Sequence, residues 1–175
     1  ASDVYKRQGV GSMAVMILNK LGCNVTAVTG KDSNVDYLKS IGAKNVINTN
    51  ELMKDARPLD KGLWDGAVDT VGGKVLENIL SQTKDAGIVA TCGNAAGIKL
   101  NTTVMPFIIR GIKLWGIDSV MVGMERRKFI WSEISKFVDF NILEKGVNEV
   151  DLSELLETYP KMLKGEISGR VLVKI

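Results

Sequence analysis

Apolar side chains in this sequence recur in two rhythms. Val10, Met13, Ala14, Ile17, Leu18 and Leu21 fall at helical spacing, and Gly22 closes that stretch as a C-terminal cap. The β-branched run Asn24-Val-Thr-Ala-Val-Thr29 predicts a strand, followed by Gly30. Ser33 and Asp36 have capping-box spacing ahead of Val35, Leu38 and Ile41, and Gly42 ends this second helix. Asn45–Asn48 predicts the next strand, and a polar loop runs on through Arg57-Pro58. Gly66–Val71 predicts a strand, Val75, Leu76, Ile79 and Leu80 a helix, and Gly87–Cys92 and Lys113–Asp118 two further strands. Beyond Gly123 the pattern changes to two helical stretches, the second capped by Asp151 and carrying Leu152, Leu155, Leu156 and Met162. An extended tail from Gly165 contains the strand-like run Gly169–Ile175.

Strands that alternate with helices and are mostly apolar on both faces predict a parallel sheet covered on both sides. The fold class is therefore α/β, a doubly wound (Rossmann) parallel sheet, with a C-terminal helical segment and a terminal strand.

Composition narrows the chemistry. The 175 residues carry 23 Lys+Arg against 20 Asp+Glu, a net +3 that is too mild for a nucleic-acid surface. Histidine is absent, which removes His-based triads and every His-ligated metal site. The two cysteines, Cys23 and Cys92, stand far apart in apolar runs and are expected to be buried thiols. Trp64, Trp115 and Trp131 are expected in core or interface packing, since no basic stripe accompanies them. The longest apolar stretch, Val10–Leu21, is interrupted by Gly11, Ser12, Asn19 and Lys20, so no transmembrane segment is expected. A soluble, cytoplasmic protein is the expectation, with neither a nucleic-acid nor a membrane partner.

Gly9-Val-Gly11-Ser-Met-Ala14 fits G-x-G-x-x-A at the opening of a helix. Glycines let the backbone approach a pyrophosphate, and a helix start offers free N–H groups and a positive dipole end. The pattern alone is weak; the strand, turn and helix that follow at βαβ spacing strengthen it. The end of the next strand selects the nucleotide. An NAD site places an acid there, about 20 residues after the first glycine, whereas this chain has Thr29-Gly30-Lys31. A hydroxyl, a bare backbone and an ammonium suit a 2′-phosphate, which predicts NADP(H), with roughly 1.5–3 kcal/mol of preference from Lys31. The alternative is a solvated loop lysine beside Asp32. No Tyr-x-x-x-Lys is present, and Gly73-Lys74-Val75 lacks the hydroxyl and upstream glycine of a P-loop.

Gly9–Gly22, Thr29-Gly30-Lys31 and Tyr37–Ala43 resemble the medium-chain dehydrogenase/reductase superfamily. Asp69-Thr-Val-Gly72, Cys92-Gly93, Thr102–Arg110, Gly116–Val120, Glu125–Arg127 and Gly169–Lys174 extend the likeness to the YhdH/YhfP-type quinone oxidoreductases, which include NADPH-dependent acrylyl-CoA reductases. The likeness covers residues 9–175. It implies a zinc-independent reductase that moves hydride from NADPH to the β-carbon of an enoyl-CoA or quinone-like acceptor. It also implies that Gly9, Val10 and Gly11 approach the pyrophosphate and that Thr29, Gly30 and Lys31 meet the 2′-phosphate. Thr70, Cys92 and Gly93 would lie at strand ends beside the cofactor, and backbone near Ile117 would hold the carboxamide. Arg170 is a further candidate near the cofactor. Small residues at strand ends also serve packing, an alternative that stands for Thr70 and Cys92. No catalytic residue and no metal ligand is assigned.

Two departures from the family pattern shape the expected organisation. Residues 1–8 stand where the family has an apolar strand, and they read as foreign sequence, so the sheet is expected to lack its first strand. Residues 9–122 read as an NADP(H)-binding Rossmann domain, and 123–175 as helices and a strand that return to a missing catalytic domain. Five lost apolar side chains at roughly 1.5–3 kcal/mol each rival a whole domain's stability, so the chain alone is expected to be marginal or aggregating and to reduce nothing. A whole parent protein is expected to be an enzyme and a possible homodimer. The alternative is a non-catalytic NADP(H)-binding module.

Overall fold

The computed structural model describes residues 2–144, 146–164, 166, 167 and 169–175. In chain order the elements are α1 (Ser2–Lys20), β1 (Thr26–Thr29), α2 (Val35–Ser40), β2 (Asn45–Asn48), β3 (Trp64–Asp69), α3 (Gly73–Ser81) and β4 (Thr83–Thr91). Then follow α4 (Met105–Arg110), β5 (Lys113–Gly116), α5 (Met124–Phe137), α6 (Phe140–Glu144), β6 (Val147–Asp151), α7 (Leu155–Leu163) and β7 (Arg170–Lys174). Strands alternate with helices as the apolar rhythm predicts, and the fold is α/β with parallel strand pairing. No described helix is long and apolar enough to cross a membrane.

The chain divides into two compact units. The first comprises residues 1–46 and 125–175. Its core joins Val15 and Met16 of α1 to Val25 just before β1, Ala27 of β1, and Ile41 and Ala43, with Ile142 and Leu143 packed on the outside. β1 and β2 form a two-stranded sheet. β6 and β7 form a second, parallel one, in register from Val147 opposite Arg170 to Asp151 opposite Lys174. The strand-like run expected over Gly169–Ile175 is thus a paired strand. β6 escapes sequence reading because Val-Asn-Glu-Val-Asp is a short, polar run. Gly165, where the tail was expected to begin, lies outside the described residues.

Two helix starts differ from expectation. α1 begins at Ser2 and runs through Gly9–Gly11, where a turn is expected. Lys6, Arg7 and Gln8 are good helix formers and no proline or cap stops the helix before the glycines. The side chains of residues 2–8, read above as foreign sequence, and Ala1 altogether lie outside the described residues. Ser33 makes no capping box; a 3-10 turn over Asp32–Asn34 leads into α2, whose N-cap Asn34 accepts no capping bond.

The second unit, residues 47–124, is built on the parallel sheet β3-β4-β5. Ala67 pairs with Val89 and Asp69 with Thr91; Thr91 in turn pairs with Gly116. Val75, Leu76, Ile79 and Leu80 of α3 are buried together with Val89. Arg110 at the end of α4 donates to the carbonyls of Ser81 and Thr83, both at 2.9 Å, and to that of Asp60. The amide of Asn78 binds the carbonyls of Leu52 and Lys54 and so ties the preceding loop to α3.

The expected cover on both sheet faces is not complete. Val68, Ile88 and Trp115 share one face through the strand register and are 42%, 40% and 59% exposed. Trp131 is exposed as well, so neither it nor Trp115 is a core residue; Trp64 is half-buried and donates Nε1–H to Gln82 Oε1 at 3.1 Å. Both cysteines are exposed rather than buried. Cys23 follows the turn that ends α1, and Cys92 lies one residue beyond β4, where an apolar sequence context no longer implies burial.

Candidate functional site

In the second unit, the carboxyl ends of the three parallel strands hold the residues that the sequence singles out. Asp69, the last residue of β3, is 2% exposed. Its Oδ1 accepts the N–H groups of Val71 and Gly72, both at 3.1 Å, and its Oδ2 accepts Gly72 N–H at 3.1 Å and the Thr91 hydroxyl at 2.8 Å. The backbone then crosses from strand to strand. Cys92 N–H donates to the Asp69 carbonyl at 2.9 Å, Ala96 N–H to that of Val71 at 2.8 Å, and Ile117 N–H to that of Thr91 at 2.9 Å.

Glycine is obligatory at two points here. Gly72 takes φ +70° as the turn reverses into α3, a left-handed conformation that L side chains rarely adopt. A Cβ on Gly93 would stand 2.1 Å from the Thr70 carbonyl oxygen, so only a bare backbone fits between the two strand-end loops.

These loops border an open cavity of about 560 Å³ lined by Thr91, Cys92, Gly93, Asn94, Gly116, Ile117 and Asp118. Cys92, Gly93 and Ile117 are therefore brought together. Thr70 does not line this cavity but lies against Gly93. Cys92 is exposed as a residue but its sulfur is partly covered where it meets the Asp69 carbonyl, and this partial desolvation pushes the thiol above its ordinary range, the Asp69 charge adding to the effect. The Asp118 carboxyl is lowered by the N–H groups of Met121 and Val120, which it accepts at 3.1 and 2.8 Å. The Ile117 N–H is committed to the Thr91 carbonyl, so the backbone at this wall continues the sheet. Nothing lies within 4 Å of a Cβ placed on Gly116, so this wall is open space.

In the first unit, Thr29 ends β1 and is buried. Its hydroxyl oxygen accepts the Lys31 N–H at 3.2 Å and approaches Asn34 Nδ2 at 3.5 Å. The hydroxyl thus folds the bend, in which Gly30 is exposed and Lys31 half-buried. Buried Asn34 belongs to this bend, and nothing in the periodicity marks it. Gly9, Val10 and Gly11 are interior positions of α1, where each N–H is committed to the carbonyl four residues back. As a helix they do not fit a pyrophosphate, which needs free donors. Arg170 Nη2 donates to the Gly9 carbonyl at 3.1 Å, as does Ser12 Oγ at 3.2 Å, which places Arg170 beside this segment.

Residues 9–139 match the zinc-binding dehydrogenase family. The chain is 45% identical over 167 residues to the probable acrylyl-CoA reductase AcuI of Escherichia coli, covering 95% of this chain and 51% of that protein. The crystal structure of the yhdH oxidoreductase from Salmonella enterica in complex with NADP superposes with a TM-score of 0.91 at 43% identity, covering 97% of this chain and 52% of that one. The Bacillus subtilis protein yhfP with NAD bound gives a TM-score of 0.88 at 41% identity, covering 95% and 51%. The chain spans about half the length of the curated relatives it matches. The zinc of the family's description has no fitting donor set here: the sequence lacks histidine, and the described residues contain no group of three or more Cys, Asp or Glu able to hold a metal ion.

Proposed function

The chain belongs to the zinc-binding dehydrogenase family, within the medium-chain dehydrogenase/reductase superfamily, and on that premise we propose that it supplies the NADPH-binding part of a zinc-independent reductase acting on an acrylyl-CoA-like or quinone-like acceptor. The observation that carries this reading is the cavity at the carboxyl ends of β4 and β5, the place where an open parallel sheet receives its ligand. It occurs in a chain with 41% identity to the acrylyl-CoA reductase AcuI of Ruegeria pomeroyi. NADPH, when bound, supplies the hydride that is transferred to the β-carbon of the acceptor.

This chain's own residues bind and orient. Cys92, Gly93 and Ile117 flank the nicotinamide end, with Thr70 behind Gly93, and the Ile117 carbonyl accepts from the carboxamide. Gly30 and Lys31 meet the 2′-phosphate, with Thr29 shaping their bend. Gly9, Val10 and Gly11 meet the pyrophosphate on condition that the helix starts at the glycines rather than before them. Residues 9–122 are the cofactor-binding portion in this reading, and 123–175 return to a catalytic domain.

The test uses protein expressed from its complete reading frame. Absorbance at 340 nm reports NADPH oxidation with acrylyl-CoA and, separately, with a quinone. Turnover with one of them is expected. NADPH binding without turnover on either would instead make the protein a non-catalytic binding module, and the absence of both would remove the reading.

A further inference from the structure

We propose that Asp69 is a positioning residue for the strand-end cavity: through the Thr91 hydroxyl and the turn amides of Val71 and Gly72, it fixes where Cys92, Gly93 and Asn94 stand against a bound nicotinamide dinucleotide. The inference rests on the function proposed above and adds a residue that does not touch the cavity. Asp69 is absent from the lining and acts only through its neighbours.

The chemistry of the contacts carries the argument. An ionised carboxylate only accepts hydrogen bonds, and burying one is strongly unfavourable unless donors surround it. At 2% exposure, Asp69 is met by three donors, the N–H groups of Val71 and Gly72 and the Thr91 hydroxyl. An apolar side chain would pack this sheet position as well. What it could not do is hold the two N–H groups of the turn after β3 and the hydroxyl of the neighbouring strand at one point.

That point is where the two loops join. The Cys92 N–H on the Asp69 carbonyl, the Ala96 N–H on the Val71 carbonyl and the bridge between Gly72 and Gly97 zip the turn after β3 to the loop after β4. Gly93 leaves no slack against Thr70. A shift of the Asp69 turn therefore moves the lining of the cavity. Thr91 is the handle on the β4 side, since it both binds Asp69 and lines the cavity.

The test compares Thr91→Val, Thr91→Ser and Asp69→Ala in protein from the complete reading frame. It reads NADPH affinity by titration, the emission maximum of bound NADPH, and the melting temperature without NADPH. Thr91→Val keeps the side chain's size and removes the donor. It is expected to weaken NADPH binding about tenfold with a shifted emission maximum, the scale of one lost bond to a charged group. Thr91→Ser is expected to restore both readouts whatever its effect on melting. If Asp69→Ala does not fold, the Thr91 pair carries the test alone. Unchanged affinity and emission in Thr91→Val would overturn the inference while leaving the proposed function intact. So would affinity that merely follows melting temperature across both Thr91 variants, which marks a purely structural role. Wild-type protein that binds no NADPH would overturn both.

Discussion

Gly93 and Cys92 are adjacent, yet their roles rest on different physics. Gly93 is a steric requirement: the Thr70 carbonyl stands 2.1 Å from where a Cβ would be, and a backbone atom one residue beyond a paired strand does not move easily. Gly93→Ala is expected to lower stability by roughly 1–3 kcal/mol, the usual range for overpacking a filled site, with the loss read by chemical denaturation. An unchanged midpoint would mean that the loops separate freely. Cys92 is a matter of electrostatics. Its thiol, on an exposed residue, is raised by partial desolvation of the sulfur and by Asp69, so the protonated form persists past the pH at which an ordinary thiol ionises. Alkylation of Cys92 by iodoacetamide, followed by peptide mass spectrometry against pH, should reach half its maximal rate above about 8.5, the free-cysteine value. A half-maximum below that would contradict the environment described. Sequence reading singled out both residues and misplaced the thiol, because apolar neighbours say nothing about which way a strand end faces. Asp69 was legible only as part of a motif, since its role lies in hydrogen bonds between strands that no periodicity records.

At the level of elements, the strands were the most legible part. β2 lies over the residues expected, and β3, β4 and β5 overlap their β-branched runs, because buried parallel strands need such runs. β6 was not legible, its pairing with β7 being a tertiary choice imposed on a polar segment. The start of α1 is where expectation and structure diverge most, and the glycines decide what that means. Nothing lies within 4 Å of a Cβ on Gly11, and alanine exceeds glycine in helix preference by about 1 kcal/mol, so a helix gains from Gly11→Ala. A pyrophosphate approaching the same backbone is pushed away by the added methyl. The proposed function therefore predicts that Gly11→Ala raises or preserves the melting temperature and weakens NADPH binding about tenfold, the equivalent of 1.4 kcal/mol. Equal NADPH affinity in the variant would show that positions 9–11 are helix and nothing more.

For the molecule as a whole, fold class followed from the alternation of elements and is matched by the likeness to solved structures at 41–43% identity. What the periodicity did not reveal is the half-exposed sheet face of Val68, Ile88 and Trp115, because a run that is apolar on both sides does not state what covers it. Cofactor identity is a property of the whole molecule in a different sense, since relatives of similar likeness are seen with NADP and with NAD. The Thr29-Gly30-Lys31 bend, with no acid at the end of β1, is the feature of this chain that bears on the choice. The most direct measurement is a pair of calorimetric titrations, NADPH and NADH, into wild-type protein from the complete reading frame. Binding of NADPH at least about tenfold tighter is predicted, in keeping with one charge-assisted contact to the 2′-phosphate; equal affinity, or tighter binding of NADH, would contradict it.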